Sequence, residues 1–211
     1  MKNITKLFAL ICVMAMAQFT FAQGTIDGSA HDFAGLSWNS SGEICIVCHT
    51  PHDGDMSLDA PLWNHETSST TYTMYSGTGT FDATIGAAPT GVSKLCLSCH
   101  DGTEALDNFN GNTAGTVFVT AGAGLVGTDL SNDHPISITY NGTLATTDGG
   151  LHDPTSTTSG LGGNINADML FGTGNDQLEC ASCHDVHNNA TGTPASLLIK
   201  SNANSALCLT C

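Results

Sequence analysis

Apolar residues in this chain come in short bursts, with one exception at its start. Leu7–Ala17 is uninterrupted, is preceded by Lys2 and Lys6, and is followed by Gln18. Thr20-Phe21-Ala22 then closes on a small residue ahead of Gln23. A basic lead, a short apolar run and a small-residue exit predict a secretory signal peptide over 1–22 and a mature domain over 23–211. The run is shorter than the ~20 residues a spanning helix needs, so a membrane anchor is not expected. Cys12 lies inside the run between Ile11 and Val13, which does not suit a lipid-attachment site.

Beyond residue 22 no segment sustains a 3.6-residue period. Val92–His100 reads as a short helix, and Thr116–Thr120 and Ile136–Tyr140 alternate enough for short strands. Residues 67–92 and 105–178 are crowded with Gly, Thr, Ser and Asn and read as turns and loops. The expectation is a small, loop-rich fold with a few short strands and little ordinary core. Scattered Trp, Phe, Leu and Ile residues argue against disorder.

Charge removes several classes of partner. The chain has 19 Asp and Glu against four Lys and Arg. Loss of Lys2 and Lys6 leaves only Lys94 and Lys200, with no arginine anywhere. Nothing neutralises phosphate, so nucleic acid is excluded as a partner. An anionic membrane surface is disfavoured for the same reason, and no membrane insertion is expected.

Eight cysteines follow residue 22, and in an exported chain an even count first suggests disulfides. Their arrangement suggests otherwise. They form four Cys-X-X-Cys pairs, Cys45/Cys48, Cys96/Cys99, Cys180/Cys183 and Cys208/Cys211, and His49, His100 and His184 directly follow the first three. The pairs begin 51, 84 and 28 residues apart, a repetition of motif without the fixed period of a solenoid. Two thiols on one helical turn can add to the two vinyl groups of a haem, and the adjacent histidine then lies under the ring as an iron ligand. One copy could be a redox dithiol or half a zinc site. Three complete copies behind a signal peptide point to c-type haem (heme c). The fourth pair stops one residue short of a histidine. The expectation is that residue 212 is that histidine and that the domain is truncated there, giving four haems, three of them with complete motifs. Haem would also supply the missing apolar mass, as a haem-stack core without which the chain would not fold.

Six histidines lie outside the motifs. Four haems with two axial histidines each need four more ligands, and neutral imidazole suits iron. His52 and His187 each stand three residues after a proximal histidine, too constrained to reach the far face of their own haem, and are expected to ligate a neighbour. His31, His65 and His134 are the remaining candidates, while His152 reads as a loop histidine. Five candidates for four positions leave one unused or ligating a haem of another subunit. His31, ahead of every motif, is the natural donor of that kind. Such an exchange makes a head-to-tail, non-closing contact, the geometry of a filament.

These residues resemble the multihaem c-type cytochromes with doubled CxxCH motifs, in particular the OmcE-type tetrahaem nanowire cytochromes. The likeness rests on His31-Asp32, Cys45–His52, Pro61–His65, Ser93–Gly102, Asp129–Ile136, Cys180–His187 and Cys208–Cys211. It implies a loop-built fold around stacked bis-histidine haems, polymerisation through a histidine shared between subunits, and long-range extracellular electron transfer. The implied partners are further copies of the chain, other multihaem cytochromes and extracellular electron acceptors.

The expected function is therefore electron transfer rather than enzymatic turnover, as a filament subunit or alternatively as a monomeric periplasmic carrier. The expected location is the bacterial cell surface or extracellular space, alternatively the periplasm. A multihaem reductase for a small oxyanion needs an open iron position and usually a cationic pocket. Surplus histidines and scarce cations argue against both. Nothing in the sequence favours a purely adhesive role.

Overall fold

The computed structural model describes residues 26–55, 60–77, 81–188 and 196–211. The signal-peptide segment 1–22 lies outside the described residues.

Regular structure is sparse, and much of it forms around cysteines. Each cysteine pair opens on a helical turn: Cys45–Val47, Cys180–Ser182 and Cys208–Thr210 as single 3-10 turns, and the second pair inside helix α1, Gly91–His100. Helix α1 buries Leu95 and Leu97 on its apolar side together with Ser93 and Ser98. It ends where Gly102 takes φ +74, and a Cβ there would stand 2.7 Å from the Val119 carbonyl oxygen, so the turn requires glycine. Among the described residues no helix is long and apolar enough to cross a membrane.

Two strands of two residues pair antiparallel, β1 (Ile138–Thr139) with β2 (Gln177–Leu178), in the register Ile138↔Leu178 and Thr139↔Gln177. Strand β1 falls within the segment expected to be extended. Thr116–Thr120 does not form a strand. The Asp107 carboxylate accepts the backbone N–H groups of Thr116 (2.9 Å) and Val117 (2.9 Å), so a side chain replaces the neighbouring strand.

The long cysteine-free stretch also holds more structure than its loop-like composition suggests. Helix α2, Gly142–Asp148, is capped by the Asn141 side chain, which accepts from Thr143 and Leu144 N–H, and it stops at Gly149 with φ +73. Helix α3 is a single turn, Ile165–Asp168. Together with β1 and β2 they close a peptide core of Ile138, Tyr140, Ala145, Ile165, Met169, Leu170, Leu178 and Leu207. The expectation of little ordinary core therefore needs correction for this half. The second cluster is much smaller, Tyr72, Leu97 and Leu130.

Around that smaller cluster, polar contacts carry the packing. The buried Tyr72 hydroxyl donates to Asp101 Oδ2 at 2.6 Å, and Thr103 donates to the same carboxylate through its N–H (2.7 Å) and its hydroxyl (3.0 Å). Burial works to raise the Asp101 carboxyl, but hydrogen bonds from Ser68, Tyr72 and Thr103 outweigh it and hold the group below its ordinary 3.8. A depressed carboxylate contributes stability that is complete above about pH 3.8 and is lost as pH falls through the folded-state value. Tyr72→Phe is expected to cost about 1.5–3 kcal/mol at neutral pH, the range for a hydrogen bond to a charged group. Denaturant titration checks this, and the gap between variant and parent should close as the pH is lowered below that point.

Candidate cofactor site

The first and third cysteine pairs sit in two units of the same construction. His49 N–H donates to the Cys45 carbonyl (2.8 Å), and His184 N–H to that of Cys180 (3.0 Å). The ring of His49 meets the Pro61 carbonyl through Nδ1 at 2.7 Å, and that of His184 meets the Ser196 carbonyl at 2.8 Å, each twelve residues on. Thr50 N–H then pairs with Leu62 O, and Asp185 N–H with Leu197 O. Leu62 and Leu197 both take left-handed backbone, φ 53 and φ 52. Asn64 N–H returns to Cys48 O (3.0 Å) and Ile199 N–H to Cys183 O (2.9 Å). Among the described residues, 45–53 and 61–64 thus repeat the hydrogen-bonding pattern of 180–188 and 196–199. The motif spacing alone does not reveal this duplication, although a direct alignment of the two segments would have.

The imidazoles share one feature. Nδ1 of His100 meets the Gly124 carbonyl (2.5 Å), that of His65 the Glu66 carbonyl (2.7 Å) and that of His134 the Pro135 carbonyl (2.8 Å). A carbonyl oxygen only accepts, so in all five of these histidines Nδ1 carries the proton and Nε2 presents a lone pair. A backbone carbonyl on the far ring nitrogen is the usual support of a metal-binding histidine.

Two pairs of rings face each other within the chain. His187, from the third unit, lies beside His49 of the first, with ring centroids 6.3 Å apart and planes within 17° of parallel. His31 lies against His100, with centroids 5.8 Å apart and planes at 58°. Two imidazoles on opposite sides of one ion, with metal–nitrogen bonds of about 2.0–2.1 Å as for zinc, have centroids about 6 Å apart. Burial, with the nearby His100 as a smaller cause, lowers His31 to about 4, so it stays neutral and keeps a lone pair at neutral pH.

The other candidates are placed less uniformly. His65 is buried, and its Nε2 lies 3.7 Å from Cys99 Sγ. His52 and His134 are exposed. The backbone N–H of His152 donates to the Cys211 carbonyl at 2.6 Å, bringing this loop histidine beside the fourth pair.

All eight described cysteines are free thiols. Burial, with the neighbouring Cys45 as a lesser cause, pushes Cys48 up to about 11. Burial together with Cys211, Cys208 and Cys180 does the same to Cys183. Cys99 is raised further, burial again being the main cause. Cys96 is raised through its hydrogen bond to Cys180, which is lowered by the same bond. Raised thiols do not suit a nucleophilic redox dithiol. These interactions also show each pair neighbouring the next: Cys48 with Cys99, Cys96 with Cys180, and Cys183 with Cys208 and Cys211.

Two buried side-chain nitrogens have no hydrogen-bond partner among the described residues, His31 Nδ1 and Trp63 Nε1. Both adjoin histidines of the Cys-X-X-Cys-His motifs: His31 lies beside His100, and the Trp63 ring lies 6.4 Å from His49 and equally far from His65. A cleft of about 220 Å³ opens beside Trp63 and His65. Buried donors left unmatched by protein fit a site completed by a further group. Free paired thiols, oriented imidazoles and facing ring pairs are the donor set that a covalently attached haem requires. Among the described residues no cluster of three or more His, Cys, Asp or Glu is arranged to hold a bare metal ion. Haem iron takes only two protein ligands, so that finding is compatible with the donor set. No protein-family model matches the chain, and no curated protein matches it.

Proposed function

We propose that this chain is an exported c-type cytochrome that transfers electrons through covalently bound haems with two histidines on each iron. One observation carries the reading. Each complete Cys-X-X-Cys-His sits on a helical turn, with its histidine Nδ1 tied to a carbonyl and its Nε2 left as the coordinating atom. Cys45/Cys48, Cys96/Cys99, Cys180/Cys183 and Cys208/Cys211 would hold the haems, and His49, His100 and His184 would be proximal ligands. A bound haem supplies one-electron chemistry, and the chain supplies ligation, burial and spacing.

The duplicated units extend the ligand assignment. His187 of the third unit meets His49 of the first. His52 holds the corresponding position in the first unit, so by the same construction it serves His184. Each unit then lends its outer histidine to the other's iron, and the two haems are held as a reciprocal pair. His31 completes the iron of His100. His134 remains a candidate for the fourth, while His65, beside Cys99, lies at the second pair. With both axial positions filled by protein, no iron is open to a substrate, so the reading is not enzymatic.

A specific observation favours the second reading of the working unit, a soluble carrier complete in one chain. His31 lies against His100 of its own chain, so linkage to another subunit through His31 would have to remove it from this place. A filament of the OmcE kind would draw its shared ligand from elsewhere, such as the exposed His134.

Three outcomes test these assignments. Denatured holoprotein should show the pyridine haemochrome of thioether-bound haem and no reactive thiol at the complete motifs; free thiols without a haem band would contradict the reading. Haem-free chain should lose much of its near-UV dichroism, because among the described residues the cluster around Tyr72, Leu97 and Leu130 is small, while the core around Tyr140 is built of peptide alone; a near-native spectrum would oppose a haem-dependent fold. His187→Ala should convert one low-spin ferric signal to high-spin in electron paramagnetic resonance, with His52→Ala converting a different one. An unchanged spectrum would remove the residue concerned from the ligand set.

A further inference from the structure

A buried acid lies between the second and third cysteine pairs. Glu179 directly precedes Cys180 and is 2% exposed. Its Oε2 accepts from the Ser93 backbone N–H (3.3 Å) and the Ser137 hydroxyl (3.1 Å), and its Oε1 accepts from the Thr90 hydroxyl (3.4 Å). The Ser182 N–H donates to the same carboxylate in a capping box, whose other half is the Glu179 N–H on Ser182 Oγ at 2.9 Å. Ser93 Oγ accepts the Cys180 N–H (2.9 Å), and Ser137 Oγ accepts the Thr90 N–H (2.9 Å). Ser93 belongs to α1, which carries Cys96, and Ser182 to the turn opened by Cys180, so the carboxylate ties these two attachment sites together.

The surroundings define its charge. Every polar group bonded to the carboxylate presents a hydrogen, and the N–H groups of Ser93 and Ser182 can only donate. No lysine or histidine is bonded to it among the described residues; Lys200 Nζ is engaged by the Ser159 carbonyl and Thr210. Burial outweighs the hydrogen bonds from Ser93, Ser137 and Thr90 and holds the carboxyl above its ordinary 4.5, so those donors are what favour its charged form. A charge shielded from water is weakly screened and acts strongly on its neighbours.

We propose that Glu179 tunes the electron affinity of the two haems flanking it, as a buried anion that favours ferric over ferrous iron at Cys96/Cys99 and Cys180/Cys183. Ferric haem carries one more positive charge than ferrous haem, so a fixed anion nearby stabilises the oxidised state and lowers the reduction potential. In the step concerned, one iron gains one electron from a neighbouring redox centre, and no bond or proton changes place. The inference rests on the haem reading above.

Glu179→Gln in the holoprotein tests it, because the amide keeps the shape and removes the charge. Potentiometric titration should show two haem potentials shifted upward and the others unmoved. Glu179→Asp keeps the charge and should leave all of them near the parent values. Unmoved potentials in a folded Glu179→Gln protein would overturn the proposal, and so would equal shifts in both variants, which would indicate packing alone. The unmodified protein provides a measurement independent of variant folding. Its oxidised-minus-reduced infrared spectrum should show an ionised carboxylate band responding to the iron; a protonated carboxyl band in its place would overturn the proposal. A preparation carrying no haem would instead defeat the underlying reading, so the two failures are distinguishable.

Discussion

An imidazole that follows a two-cysteine turn would swing freely without a second anchor, and here a backbone carbonyl supplies it. For His49 and His184 that carbonyl lies twelve residues downstream, on Pro61 and Ser196. The bond fixes the ring's direction and its tautomer together, leaving Nε2 to face outward. The rest of each unit follows from bringing that carbonyl into place. The chain must reverse sharply, so Leu62 and Leu197 accept a left-handed backbone that only glycine adopts without cost. The residues just beyond then pair back onto the second cysteine of the turn. Local strain at one leucine is thus exchanged for an oriented histidine, a pattern expected at functional positions.

Between the units the fold relies on buried polar junctions as much as on apolar packing. Asp101 gathers Tyr72 and Thr103, and Glu179 gathers Thr90, Ser93, Ser137 and Ser182. Each carboxylate accepts several hydrogen bonds, and such networks help specify a structure. Both also flank a cysteine turn: Asp101 follows the second motif and Glu179 opens the third. In a chain with only two lysines beyond residue 22, hydroxyls and backbone amides take the place that cations usually hold beside buried acids.

The cysteine turns and α1 were legible because spacing in sequence maps directly onto one helical turn. Strand β1 was legible within a wider segment from alternation around Ile138. The core around Ile165, Met169 and Leu170 was not, because its apolar residues come from α2, α3, the two strands and Leu207, each too short to show a period. Thr116–Thr120 alternates like a strand but has Asp107 as its partner, and alternation cannot report what lies alongside. Among the histidines, the motif spacing singles out His187, which the fold brings beside His49, but the neighbour of His31 was not legible. Its position near the N-terminus suggested a reach outward, whereas burial against His100 is a tertiary contact. The duplication is obscured in the motif spacing because a second motif of different surroundings lies between the two turns.

Covalent haem attachment is the claim from which ligand pairing, haem-dependent folding and potential tuning all follow. Intact-mass measurement of the purified, exported protein under denaturing conditions tests it most directly. The expected mass is that of the processed polypeptide plus one haem for every complete Cys-X-X-Cys-His motif, unchanged by reduction. A mass equal to the bare polypeptide, or one that rises by two hydrogens for each cysteine pair on reduction, would contradict it.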